Sequence, residues 1–129
     1  MKIKKFEDLP VWRLSLKITR DVYDLTSKKT FARDFGLRDQ LRRAMISISS
    51  NIVEGFEKEN NNEFIRYLKI AKGSTGEARN QIYIALAVGH ISQSEFNSVN
   101  NDLLSLRDQI SRFISYLVTQ RKKGNFKNK

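Results

Sequence analysis

The chain has 129 residues, a formal net charge of +10 and a pI near 10.0, with 40% hydrophobic and 29% charged residues. This balance suits one globular domain and excludes a disordered chain. Cysteine is absent and there is one histidine, which excludes disulfides, thiol catalysis and cysteine zinc sites and leaves too few ligands for zinc or haem, so no metal and no cofactor are expected.

The opening "MKIKKFEDLPVW" lacks the apolar core and small-residue cleavage site of a secretory leader. No apolar run reaches the ~18 residues of a membrane span. A cytoplasmic protein without a membrane role is expected, as one domain over residues 1–129 with basic, flexible ends at about 1–6 and 120–129.

The first helix is expected after Asp8, with Pro10 suited to its first turn. Val11, Leu14, Ile18, Val22 and Leu25 step by three or four and form its apolar stripe. "TSKKTFARDFG" breaks the pattern. Leu37, Leu41, Ala44, Ile48 and Ile52 mark a second helix, ended by "EKENNN". Asn60 with Glu63 has the capping-box spacing for a third helix. Its stripe is Phe64, Leu68, Ala71, Thr75, Ala78, Ile82 and Ala85, and it ends near Gly89. Ser92 with Glu95 repeats the capping pattern before a last helix carrying Phe96, Val99, Leu103, Leu106, Ile110, Phe113 and Leu117.

No period-two stretch stands out, and the connections are short. The fold class expected is all-α, an antiparallel up-down-up-down four-helix bundle. That topology puts both chain ends at one end of the bundle. Lys2, Lys4 and Lys5 would then lie near Arg121, Lys122, Lys123, Lys127 and Lys129, with "EKENNNE" between them; these two basic ends supply eight of the ten surplus charges. Lys28, Lys29 and Arg33 would fall at the opposite end.

The second helix carries a polar seam. Gln40, Arg43, Ser47, Asn51 and Glu54 fall within about 80° on the helical wheel, beside the apolar stripe. Facing them on the third helix, Gly73, Ser74 and Gly76 would allow close approach, and Glu77 would meet Arg43. Such a seam reads either as an interhelical network fixing register or as an active site. The catalytic reading lacks a base beside Ser47, because the lone His90 belongs near the end of the third helix. Glu54 and Glu77 lack the Glu-x-x-His of carboxylate metal bundles. Ile46 and Val53 lie opposite the core stripe, and Ile70, Ile84 and Val88 lie off the third helix's core line. These five are candidate self-association residues, expected to build a closed assembly.

Other signals carry less. "GSTG", residues 73–76, has the Gly-x-x-Gly spacing of an RNA-binding clamp but sits in a helical period. "AKGSTGEA" is not a P-loop, because its lysine precedes the glycines. Trp12 and Tyr23 read as core or rim aromatics, with base stacking as the alternative.

"FEDLPVW", "FGLRDQLRRAMISISSNIVEGF" and "FIRYLKIAKGSTGEARNQI" resemble the four-helix-bundle proteins encoded in intervening sequences of bacterial 23S rRNA genes, often labelled ribosomal-like. The resemblance runs from Phe6 to about Leu117 and is most specific at Gln40, Arg43, Ser47, Asn51, Glu54, Gly55, Gly73, Ser74 and Glu77. Val53 stands where alanine is common, and Arg79 departs from the usual apolar residue. The resemblance implies a ring, often a pentamer. It extends to the accessory protein of diversity-generating retroelements, a basic pentameric barrel that binds nucleic acid and a reverse transcriptase. It implies no catalytic residues.

Three functions follow as expectations. The first is a non-enzymatic, self-assembling protein that contacts nucleic acid, RNA in preference to DNA, through the phosphates and without reading sequence. The second is a scaffold docking a protein such as a polymerase. The third is a metal-dependent nuclease using Arg43, Glu54 and Glu77.

Overall fold

The computed structural model describes residues 3–122, the last by its backbone alone. A single 3-10 turn, Phe6–Asp8, precedes α1 (Pro10–Thr26), α2 (Lys29–Arg33), α3 (Phe35–Glu57), α4 (Asn61–Ala87) and α5 (Gln93–Lys122). No strand occurs among the described residues. The molecule is an all-helical bundle of four long helices and one short one.

Paired side chains give the helix directions. Glu54 meets Tyr67 and Ser47 meets Ser74, so α3 and α4 run in opposite senses. Asn61–Leu117 and Arg79–Asn100 do the same for α4 and α5. On α1, Thr26 meets Arg42, while Trp12 shares a cleft with Ser49, Ser50 and Val53. Lys17 joins α1 to α5 through Asp102 at 2.6 Å and also reaches Asp21 at 3.0 Å. Those two carboxylates, Asp102 first, hold the Lys17 ammonium above its ordinary pKa. These pairings are compatible with an up-down-up-down bundle.

The start signals work as local chemistry requires. Pro10 opens α1. The Asn60 side chain accepts from the Glu63 N–H at 3.0 Å, while the Glu63 carboxylate turns to Arg66 at 3.1 Å. Ser92 and Glu95 form the full reciprocal box, with bonds of 2.8 and 3.1 Å. Glu59, in the turn between α3 and α4, takes φ +51°.

The core is one continuous cluster that includes Ile18, Val22, Leu41, Ile48, Ile52, Leu68, Ile82, Leu103, Leu106 and Ile110, all fully buried. The α1 face departs from the expected stripe. Leu14 and Leu25 are half-buried, and Ser15 and Thr26 are buried instead. Each hydroxyl donates to a carbonyl of its own helix, Ser15 to Trp12 and Thr26 to Val22, both at 2.7 Å. A hydroxyl satisfied this way packs as a small apolar group. Thr26 also accepts from Arg42 Nε at 2.9 Å, which ties this face of α1 to α3.

The expected break at "TSKKTFARDFG" contains α2, whose Phe31 is fully buried. Asp34 then caps α3 by accepting from the Leu37 N–H at 3.3 Å. Gly73 and Gly76 do not bring helices together, since a Cβ at either would meet nothing within 4 Å. Close approach occurs at Gly55, where a Cβ would stand 2.7 Å from Tyr67 Cβ and 3.0 Å from Phe64 Cδ1.

Candidate nucleic-acid interface

The seam on α3 is partly assembled. Ser47 and Ser74 share a hydrogen bond of 3.0 Å between hydroxyls. Asn51 Nδ2 donates to Ser47 O at 2.8 Å and to Ser47 Oγ at 3.1 Å. Tyr67 donates its O–H to Glu54 Oε2 at 2.9 Å. Gln40, Arg43 and Glu77 are exposed and stay outside this network. Arg43 and Glu77, both exposed, form no ion pair with each other: sharing an angular sector on facing helices does not bring two side chains within reach. The seam therefore has hydroxyl and amide groups joined at its centre and no base beside Ser47. On the same outer side of α4, Ile70, Ile84 and Val88 are 42%, 41% and 58% exposed. Ile46, 46% exposed, and half-buried Val53 lie on the α1 side of α3. The five candidate assembly residues therefore divide between two faces.

The first and last described segments, residues 3–5 and the Arg121 end of α5, lie at one pole. Arg121 Nη1 donates to Asn62 Oδ1 at 2.6 Å, which sets the end of α5 beside the start of α4. Asn61, itself buried, donates from Nδ2 to Leu117 O at 3.2 Å. Ile3 and Lys4 of the N-terminal arm complete a cleft of about 490 Å³ with Gly55, Phe56, Glu57, Glu59, Asn60, Asn61, Phe64 and Leu117. Lys4 and Lys5 are exposed. Lys58 lies 5.9 Å from the Tyr67 ring, and Arg66 stacks on the same ring at 4.5 Å. Arg66 also holds the Glu63 carboxyl below the usual carboxylate range. Lys2, Lys123, Lys127 and Lys129, and the side chain of Lys122, lie outside the described residues. Sequence reasoning located the acidic and amide turn between the two ends. It missed the cleft, whose floor of Phe56, Phe64 and Leu117 exists only once three separate segments meet.

The opposite pole holds a second polar cluster. His90 Nε2 meets Asp34 Oδ2 at 2.9 Å, and His90 Nδ1 meets Thr30 Oγ1 at 2.8 Å. The imidazole stacks on Phe31 with ring centroids 5.1 Å apart. His90 thus ties the short α2 to the end of α4, a role beyond the helix-end position read from sequence. The His90 hydrogen bond, and then the Leu37 N–H, hold the Asp34 carboxyl below its ordinary pKa. A carboxylate lowered in the fold contributes stability above its unfolded pKa of about 3.9 and loses it as pH falls through the lower folded value. Asp34→Asn keeps a capping side chain and removes the charge. It is expected to lower the melting temperature at neutral pH, with the deficit shrinking in acid below about pH 4. Melting curves across pH check this, and a deficit independent of pH would place the effect outside the carboxylate charge.

Among the described residues no group of three or more His, Cys, Asp or Glu side chains is placed to hold a metal ion. No helix among them is long and apolar enough to cross a membrane.

Comparison with known proteins agrees with the fold. No curated protein matches the chain. The structure is similar to the crystal structure of a protein of unknown function from the S23 ribosomal protein family of Bacteroides thetaiotaomicron, with a TM-score of 0.74 and 22% identity over 81% of this chain and 97% of that one. At that identity the likeness speaks for the bundle alone. The family model described as 23S rRNA-intervening sequence protein matches residues 7–112, a span holding α1 to α4, most of α5 and the whole seam, and the chain belongs to that family.

Proposed function

We propose that the protein is a non-enzymatic, self-assembling protein that associates with nucleic acid, RNA in preference to DNA, through the pole where its two ends meet. The observation that carries this reading is the convergence of the Lys4–Lys5 arm with the Arg121 end of α5 around one turn. Eight of the ten surplus charges belong to these two ends. Phosphates bind such cations by releasing counterions, without reading sequence. The family description ties these proteins to intervening sequences of 23S rRNA and names no binding partner; RNA as the partner is part of this proposal. A cytoplasmic location goes with this reading.

Self-assembly is supported by the exposed Ile46, Ile70, Ile84 and Val88. A closed ring, a pentamer by the family resemblance, would repeat the basic pole around one rim and multiply weak contacts. The same apolar residues support the second reading, a scaffold that docks a protein partner such as a polymerase. The Ser47 seam supports no nuclease, since Arg43 and Glu77 stand outside it.

The test is binding of a fluorescent structured RNA across a salt series, using the full chain and one lacking residues 1–5 and 120–129. Eight phosphate contacts would give a log–log salt slope of about −6 to −7, or a loss of three to four decades between 50 and 200 mM salt. The shortened chain is expected to lose most of the affinity and the slope. Flat salt dependence, or equal binding by both chains, would remove the basic pole from the function. Sedimentation of the full chain reads its mass, and a monomer would remove the ring.

A further inference from the structure

We propose that the cleft at this pole receives one unstacked guanine base of a single-stranded nucleic acid. The inference rests on the nucleic-acid reading above and adds a base preference that phosphate contacts alone do not supply.

The cleft, about 490 Å³, is the right size for a small ligand group. Its walls are of two kinds. Ile3, Phe56, Phe64 and Leu117 supply an apolar floor with two aromatic rings, set edge to face with centroids 5.9 Å apart. Phe64 is buried and fixed against Phe113, while Phe56 is half-buried and keeps part of its ring open. A flat, apolar-faced ligand with polar edges fits such a floor, and unpaired nucleobases are recognised by stacking and by hydrogen bonds to their edges.

The rim selects the base. Glu57 and Glu59 line the cleft, are exposed and pair with no cation among the described residues. An ionised carboxylate only accepts hydrogen bonds, with two oxygens side by side. Guanine alone among the common bases offers two adjacent donors on one edge, N1–H and the N2 amino group. Adenine and cytosine set one amino donor beside an acceptor, and uracil sets one N–H between two acceptors. Lys4, also on the rim, supplies a donor for guanine O6. The carboxylates repel phosphate, so the backbone must run outside the cleft, along Lys5, Lys58 and Arg121.

The experiment uses the full chain and short fluorescein-labelled oligouridines that carry one central guanine, adenine, cytosine or uracil. Anisotropy at fixed salt is expected to show the guanine oligomer bound about tenfold tighter than the other three, the size of a good bidentate base contact. The variant Glu57→Gln/Glu59→Gln changes only exposed side chains and is expected to lose that preference while binding the all-uridine oligomer at least as well. Photocrosslinking of a 6-thioguanine oligomer is expected to label peptides within residues 3–5 or 55–64. Equal, salt-sensitive binding of all four oligomers overturns the guanine site and leaves the basic-pole reading intact. A preference that survives the double variant, or crosslinks on the Trp12–Tyr23 face, also overturns it. Absence of binding by every oligomer overturns the guanine site, and the structured-RNA salt series above then decides the basic-pole reading separately.

Discussion

Replacing Phe31 with alanine is expected to cost about 3–5 kcal/mol, the range for deleting a fully buried aromatic side chain. Phe31 is 0% exposed although it sits on a helix of only five residues. Its ring covers the core on one side and carries the His90 imidazole on the other. Truncation would leave a cavity and remove the wall that holds His90 between Thr30 and Asp34. Both the transfer loss and the loosened clamp act in one direction. A domain of this length holds about 6–19 kcal/mol in total, so the variant is expected to fold with a visibly lower urea midpoint. A loss below about 1 kcal/mol would mean that α2 is not part of the cooperative core.

The same residue shows why part of the fold was hidden in the sequence. The four long helices were legible because each repeats its apolar residues every three or four positions over many turns, and because Asn60 and Ser92 mark two starts. A five-residue helix is too short to show a period. Its only signal is the phenylalanine pair of "TSKKTFARDFG", and nothing in the sequence says that Phe31 is buried while Phe35, four residues on, is 63% exposed. Ser15 and Thr26 were hidden for another reason. Whether a hydroxyl can be buried depends on a carbonyl one turn back and, for Thr26, on an arginine sixteen residues away.

The site divides along the same line. The placement of the first and last described segments at one pole followed from counting antiparallel helices, and the angular grouping of Ser47, Asn51 and Glu54 followed from the helical period. The pairing of Arg43 with Glu77 did not follow, because a wheel gives direction and not separation. The cleft was illegible because Ile3, Phe64 and Leu117 are far apart in sequence and have no common period. For the glycines the signal was present and misassigned. Gly55 continues the Ile48–Ile52 stripe, whereas Gly73 and Gly76 fall off the Phe64–Ala85 stripe.

Gly55 therefore carries the second large prediction. A Cβ there would stand 2.7 Å from Tyr67 Cβ, an atom next to the α4 backbone that no rotamer change can move. Any side chain at this position must push α4 away from α3, the most extensively contacting helix pair. Gly55→Val adds that collision and two further methyl groups directed among Tyr67 and Phe64. Overpacking of this kind costs about 1–3 kcal/mol, occasionally more. The better helix propensity of valine returns only a few tenths of a kcal/mol. A net loss of about 2–3 kcal/mol is expected, measured by urea denaturation. Gly73→Ala is the control, since it meets open space and removes only the helix penalty of glycine, about 1 kcal/mol. Opposite signs for the two substitutions would establish that Gly55 is retained for contact with α4. A neutral Gly55→Val would show that α3 and α4 separate freely, and Phe64, which floors the cleft, would then lack the fixed position that base recognition requires.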